Sequence, residues 1–265
     1  MGKEMERNWK EVRSEVKRFV EEEVYPAEPI LHKGNEESKE KLSELMQKAK
    51  DNSLWALGHP KDIGGQGMPF MEYVYINEVV GRSSSAMVAL GTHSLQDSIM
   101  LREFAPKKWR DEYLEPLVQG EVFPSFAMTE PDISSSDPTQ LQTTAILEGD
   151  EWVINGTKWF TTGAARASYT TVMCRTELDV PSHGAFSMII VPTDNPGYKI
   201  VRETPVLGIN GGHYEVNYDN VRVPKENLLG PRGQGFLIAQ RRFCLLYTSD
   251  AADDLLCVDL GGRRI

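Results

Sequence analysis

Most of the common catalytic signatures are missing from this 265-residue chain. It holds three cysteines, Cys174, Cys244 and Cys257, and none are spaced as a CxxC pair. That fits reduced thiols better than a disulfide framework. Its five histidines, His32, His59, His93, His183 and His213, never fall at HxxxH or HxH spacing. No metal centre is therefore expected, and each histidine reads as a surface or loop residue. No GxSxG follows a strand, which removes the usual serine hydrolase. The glycine-rich run Gly230–Gly235 lacks the Lys-Ser/Thr pair of a nucleoside-triphosphate loop, and Gly64–Gly67 reads as a tight turn. A formal net charge of −10 with no basic cluster argues against a nucleic-acid surface. No apolar run approaches membrane-spanning length, and MGKEMERNWKEV has no signal-type apolar core. The expectation is a soluble, cytoplasmic protein with no membrane span and no nucleic-acid partner.

What is present changes character once. Over residues 5–25 the apolar positions Trp9, Val12, Val16, Phe19, Val20 and Val24 form a helical stripe, which Pro26 and Pro29 are expected to end. A second helix is predicted from Glu37 to Asn52. A third follows Pro69, and others fall near Ser84–Leu90, Ser94–Phe104 and Pro106–Gln119. The first 120 residues thus read as an all-α bundle. From Val122 to about Leu229 the period becomes two, with turn residues between short runs. Glu148-Gly149-Asp150 is spaced as a hairpin turn, and Asn155-Gly156 is the strongest short turn signal. Six to eight strands are expected, as a sandwich or open barrel. The fold class is α+β.

Two stretches of this β-region carry chemistry. Residues 126–137 read FAMTEPDISSSD, a short apolar strand opening into hydroxyls, one proline and three carboxylates. Such a turn offers N–H groups and short hydroxyls to a polar, planar, partly apolar ligand. Residues 155–163 read NGTKWFTTG, an arm ending in aromatics followed by hydroxyls. Taken singly, each is an ordinary hairpin.

Together, and in this order, they resemble the acyl-CoA dehydrogenase family, whose strand reads (A/C)-x-TEP-x-AGSD and whose next hairpin reads NG-x-K-x-W-I-T-N-G. The similarity runs from about Trp9 to Gln240. It takes in the loop Trp55–Gly67, the helix Ala105–Gly120 and Val221-Arg-Val-Pro224 leading to Asn227-Leu-Leu-Gly230. TEPDISSSD is one residue longer than the general motif and is similar to a subgroup reading TEPxxxSSD. The resemblance implies FAD as cofactor, a fatty acyl-CoA thioester as substrate, and an electron-transfer flavoprotein as acceptor. It further implies a homo-oligomer at full length. Phe126, Ala127, Met128, Thr129, Ser135 and Ser136 would form the flavin-contacting strand, with Thr129 near the pyrimidine and Ser136 also touching the thioester arm. Phe160, Thr161 and Thr162 match the W-I-T triplet, with Thr162 near flavin N5. Phe160 stands where the family usually has Trp, which keeps stacking area and loses the indole N–H. Glu130 and Pro131 read as structural: the proline sets the turn and Glu130 pairs locally.

The resemblance implies an α-domain over residues 1–121, a middle β-domain over 122–231 and the start of a C-terminal helix at 232–243. The C-terminal four-helix domain, which carries the family's catalytic Glu, is expected to be missing. The family's substrate arginine would fall near Tyr247. Residues 244–265 show no sustained helical stripe and resemble translated sequencing-library adaptor. The chain as written is therefore expected to be an inactive fragment. An acyl-CoA oxidase-type flavoprotein and a non-catalytic flavin- or acyl-CoA-binding fragment are the alternative readings.

Overall fold

The computed structural model describes residues 8–208 and 211–247, with side chains to Arg242. Asn8 starts the first helix, α1 (Trp9–Phe19), by accepting a hydrogen bond from the Lys10 N–H. Such caps satisfy donors that have no partner within the helix. Val12, Val16 and Phe19 form its buried face. The two prolines do not end this helical path. A π-turn at Val20–Val24 leads into α2 (Tyr25–Leu31), which places Pro26 in a first turn, where a missing N–H costs nothing. Helix α3 (Glu36–Asp51) opens on a reciprocal capping box between Asn35 and Ser38. Helices α4 (Phe70–Val80) and α5 (Ala86–Ala89) complete this first compact unit, which runs up to Gln96 and includes Val118–Gly120.

The second unit comprises Asp97–Leu117 and Glu121–Phe243. Its helical part lies within α6 (Leu95–Phe104), α7 (Lys107–Trp109), a π-turn at Arg110–Leu114, and α8 (Glu115–Gln119). Met100, Leu101 and Trp109 pack in one core with Tyr169, Met173 and Phe186 of the sheet. The strands are β1 (Pro124–Ala127), β2 (Thr144–Glu148), β3 (Glu151–Thr162), β4 (Tyr169–Arg175), β5 (Phe186–Pro192), β6 (Tyr198–Glu203), β7 (His213–Pro224) and β8 (Leu228–Leu229). They are ordered β6-β7-β3-β2-β4-β5-β8, with β1 parallel to β4. Only Thr144↔Arg175 joins β2 to β4, so the sheet divides there into two halves. A second core lies between them, with Trp152, Ile154 and Tyr218 from one half and Val172, Ile189 and Val191 from the other. The fold is therefore α+β, a helical N-terminal domain followed by a β-sheet domain.

Glu148-Gly149-Asp150 does join β2 and β3. Asn155-Gly156, however, makes no turn: β3 runs through it as one twelve-residue strand. The bulge lies opposite it, on β7: between the pairs Ile154↔Val221 and Gly156↔Tyr218, Asp219 and Asn220 together face Asn155. Gly156 has φ 148°, and a Cβ there would stand 2.5 Å from Thr143 Oγ1 and 2.8 Å from Thr143 Cα. Asn155 spends its side-chain oxygen on the Asn220 N–H at 2.9 Å. Close backbone approach thus overrides turn chemistry.

Helix α9 spans Gly235–Tyr247 and so continues beyond Phe243, into the stretch where no helical stripe was expected. Residues 248–265, and with them most of the adaptor-like stretch, lie outside the described residues. Among the described residues no helix is long and apolar enough to cross a membrane.

Candidate functional site

The two motif stretches meet through backbone and short side chains. The Trp159 N–H donates to the Thr129 carbonyl at 3.0 Å, and the Thr129 hydroxyl donates to the Trp159 carbonyl at 2.9 Å. The Ser125 hydroxyl donates to the Thr162 carbonyl at 2.9 Å. The exit of β1 is therefore laced along the distal half of β3.

Beneath that lacing sits a closed ion pair. Lys158 Nζ donates to Glu130 Oε1 at 2.8 Å and to the Met128 carbonyl at 2.7 Å. Glu130 also accepts from the backbone N–H groups of Gln142 at 2.7 Å and Thr143 at 2.9 Å. The Lys158 side chain is 0% exposed and that of Glu130 6%. Burial pushes the Glu130 carboxyl upward, but the Lys158 charge and these donated hydrogen bonds outweigh it and hold the carboxyl below its ordinary value. Burial pushes the Lys158 ammonium downward, and the Glu130 charge opposes it. The local role read for Glu130 in the sequence is what the geometry gives it. The sequence reading does not name Lys158 as its partner. A signal existed, because the inward face of β3 carrying Trp152 and Ile154 continues at period two to Lys158. A lysine on that face needs a buried acid.

The candidate residues fall into two groups. Ala127 and Thr161 are fully buried, so Ala127 can offer a ligand little beyond its backbone; Thr161 Oγ1 has no hydrogen-bond partner among the described residues. Phe126 is half-buried, with the Arg242 guanidinium 4.4 Å above its ring. Met128 is half-buried and its carbonyl is taken by Lys158. Ser135 closes the TEP turn, accepting from the Glu130 N–H at 2.8 Å and donating to its carbonyl at 3.1 Å. Ser136 is exposed, its hydroxyl 3.1 Å from that of Ser134. Asp137 caps the turn Pro138–Gln140.

At the tip of β3 the backbone is strained. A register shift between Lys158 and Thr161 throws Phe160 outward at φ 50°, with 42% of the residue exposed. Left-handed backbone costs a non-glycine residue about 1 kcal/mol or more, and such strain collects at ligand sites. Trp159 lies beside it, ring centroids 4.8 Å apart. Thr162 is exposed and hydrogen-bonds the ring of His213, a residue read as an ordinary loop histidine in the sequence. The tip thus presents an aromatic face and uncharged hydroxyls, with the Lys158 ammonium sealed below.

The model of the acyl-CoA dehydrogenase N-terminal domain matches residues 7–121, and that of the middle domain matches 125–221. A probable acyl-CoA dehydrogenase of Mycobacterium tuberculosis is 42% identical over 208 residues, covering 76% of this chain and 50% of that protein. Acyl-CoA dehydrogenase family member 10 of Mus musculus is 35% identical over 242 residues, 84% of this chain and 22% of that one. The crystal structure of an acyl-CoA dehydrogenase from Geobacillus kaustophilus superposes with a TM-score of 0.77 at 26% identity, covering 94% of this chain and 65% of that one. The chain spans half or less of the length of these two curated relatives. With two consecutive domain matches, over residues 7–121 and 125–221, the chain belongs to the acyl-CoA dehydrogenase family.

Proposed function

We propose that the sheet unit holds FAD, with its isoalloxazine ring against the tip of β3 and the TEP turn, and that the protein takes part in α,β-dehydrogenation of a fatty acyl-CoA. The observation that carries this is Phe160, an exposed aromatic on strained left-handed backbone, flanked by Thr162 and tied through Trp159 to Thr129. The donor set suits a neutral planar heterocycle: hydroxyls at Thr162, Ser134 and Ser136, and aromatic surface at Phe160 and Trp159, with Thr161 Oγ1 beneath lacking a hydrogen-bond partner among the described residues. Phe160 supplies ring contact and Thr162 a hydroxyl at the ring edge. When bound, FAD would supply the acceptor for a hydride leaving Cβ of the thioester. Ser136 is assigned to the thioester arm, an electron-transfer flavoprotein is the acceptor, and the full-length protein is a homo-oligomer. The domain division at residues 1–121 and 122–231 belongs to the same proposal.

Glu130 is not the base. A carboxylate with two backbone N–H groups and a lysine on it is a poor proton acceptor. Asp137 is likewise occupied by its own turn. This favours, as second reading, flavin and acyl-CoA binding without turnover in the chain as given.

The test is to titrate the purified chain with FAD by fluorescence quenching, then add acyl-CoA with an artificial electron acceptor or with oxygen alone. Quenching that Phe160→Ala abolishes supports the site. Turnover with the acceptor selects a dehydrogenase, turnover with oxygen alone an oxidase, and binding without turnover the fragment. No quenching sinks the proposal.

A further inference from the structure

The hydroxyl at the tip of β3 has a dedicated partner. Thr162 Oγ1 lies 2.8 Å from Nδ1 of His213 and 3.5 Å from the Phe160 carbonyl. The sheet sets this pairing, because Thr162 and His213 are register partners on the antiparallel strands β3 and β7. The half-buried imidazole has a neighbour at each of two edges. The Phe160 ring stands edge-on to it, with centroids 6.3 Å apart and planes at 64°. The other edge lies over Gly211, where a Cβ would come 3.3 Å from Cδ2 and 3.4 Å from Nε2. The backbone around it is fixed as well. The Gly212 carbonyl accepts from the Gly163 N–H at 2.8 Å, and the His213 carbonyl accepts from the Thr204 N–H at 2.8 Å. The Gly212 N–H donates to Glu203 Oε1 at 3.0 Å. One ring nitrogen is thus aimed at one hydroxyl.

We infer that His213 is a positioning residue that sets the direction of the Thr162 hydroxyl toward a ligand at the tip of β3; this rests on the flavin reading above. A hydroxyl has one proton to give and two lone pairs. If Nδ1 carries hydrogen, it donates to Oγ1 and leaves the threonine proton for an acceptor on the ligand. If Nδ1 is bare, it takes that proton and leaves Oγ1 to accept from a ligand N–H. An imidazole can do either, since its two ring nitrogens exchange roles between tautomers. The oxidised flavin edge offers a bare nitrogen and the reduced edge an N–H, so a hydroxyl backed by imidazole matches both. A threonine without that partner matches neither in a fixed direction.

The experiment uses the full chain. In FAD-loaded protein, His213→Leu is expected to change the oxidised-to-reduced ratio at a fixed potential by about tenfold, about 30 mV for a two-electron couple. It should also move the visible flavin band while FAD stays bound. His213→Asn, which keeps an amide within reach of Oγ1, is expected to restore most of the shift. Bound FAD with an unchanged potential and spectrum in His213→Leu overturns the role of His213 and leaves the flavin reading intact. Nitrogen-15 NMR of the imidazoles in the FAD-free chain reads the hydrogen bond itself. Thr162→Val is expected to move the His213 Nδ1 resonance and leave those of His32 and His183 in place. A resonance that does not move overturns the inference, independently of whether the chain retains FAD.

Discussion

Lys158 and Thr162 share one strand, four residues apart, and occupy opposite environments. Lys158 is sealed, and its described partners are Glu130 and the Met128 carbonyl beneath the sheet surface. Thr162 is exposed and faces a single imidazole. Between them the bulge at Phe160 turns the strand from a core element into a presenting one. Anchoring and presentation are thus divided along the strand. Stability should respond at Lys158, and ligand recognition at the tip.

The largest effect expected is at the anchor. Lys158→Met leaves the Glu130 carboxylate buried without its counter-ion, and breaking such a pair costs about 3–5 kcal/mol. Urea denaturation should show the loss, and the double change Lys158→Met with Glu130→Leu should recover most of it. A single variant of unchanged stability would break the contrast.

A buried histidine in the helical unit sharpens it. His59 is 0% exposed, with Nε2 3.1 Å from Ser94 Oγ. Burial, with a smaller contribution from His93, pushes it down to about 4. The unfolded chain binds this proton near the ordinary 6.5 and the folded protein does not. Stability is therefore full above pH 6.5 and falls as pH drops from 6.5 toward 4, by about 3 kcal/mol in all. Glu130 acts in a lower window. Its folded value is depressed below 4.5, so its contribution is present above that pH and is lost as pH falls further. Denaturation series at fixed pH should show His59→Gln flattening the upper slope and Glu130→Gln the lower one.

Gly156→Ala should cost about 1–3 kcal/mol, since its Cβ would meet Thr143 and its backbone is unsuited to alanine. Thermal melts would show this. The smallest stability effect is expected at the tip. Phe160→Gly relieves left-handed strain while loosening the unfolded chain, so the net change should stay within about 1 kcal/mol. FAD affinity should nonetheless fall by at least about tenfold, the equivalent of 1.4 kcal/mol of lost ring contact, by fluorescence titration. Unchanged affinity would mean that the strained aromatic serves packing alone.

Much of this was legible in the residues. The helical stripes, the strand from Tyr169 to Arg175 and the turn at Glu148–Asp150 rest on local period and turn chemistry, and they appear where the pattern places them. The motif residues were legible too, because family likeness is carried by short ordered strings. Other features were not. Pro26 reads as a stop in the sequence, although a π-turn moves it into a harmless first-turn position. Asn155-Gly156 reads as a turn, although β3 runs straight through it, with Gly156 close against Thr143 and the bulge opposite on β7. His213 reads as a loop residue, because its partner lies 51 positions away.

By itself the sequence determined element type and the order of helical and β segments, since these follow from periodicity and composition over short windows; the candidate site residues came from the resemblance of two short ordered strings. Tertiary structure decided which polar groups are sealed and which are presented. Burial, register and hydrogen-bond partners come from strands far apart in the chain. Glu130 became an anchor and Thr162 a presented hydroxyl only when β1, β3 and β7 came together.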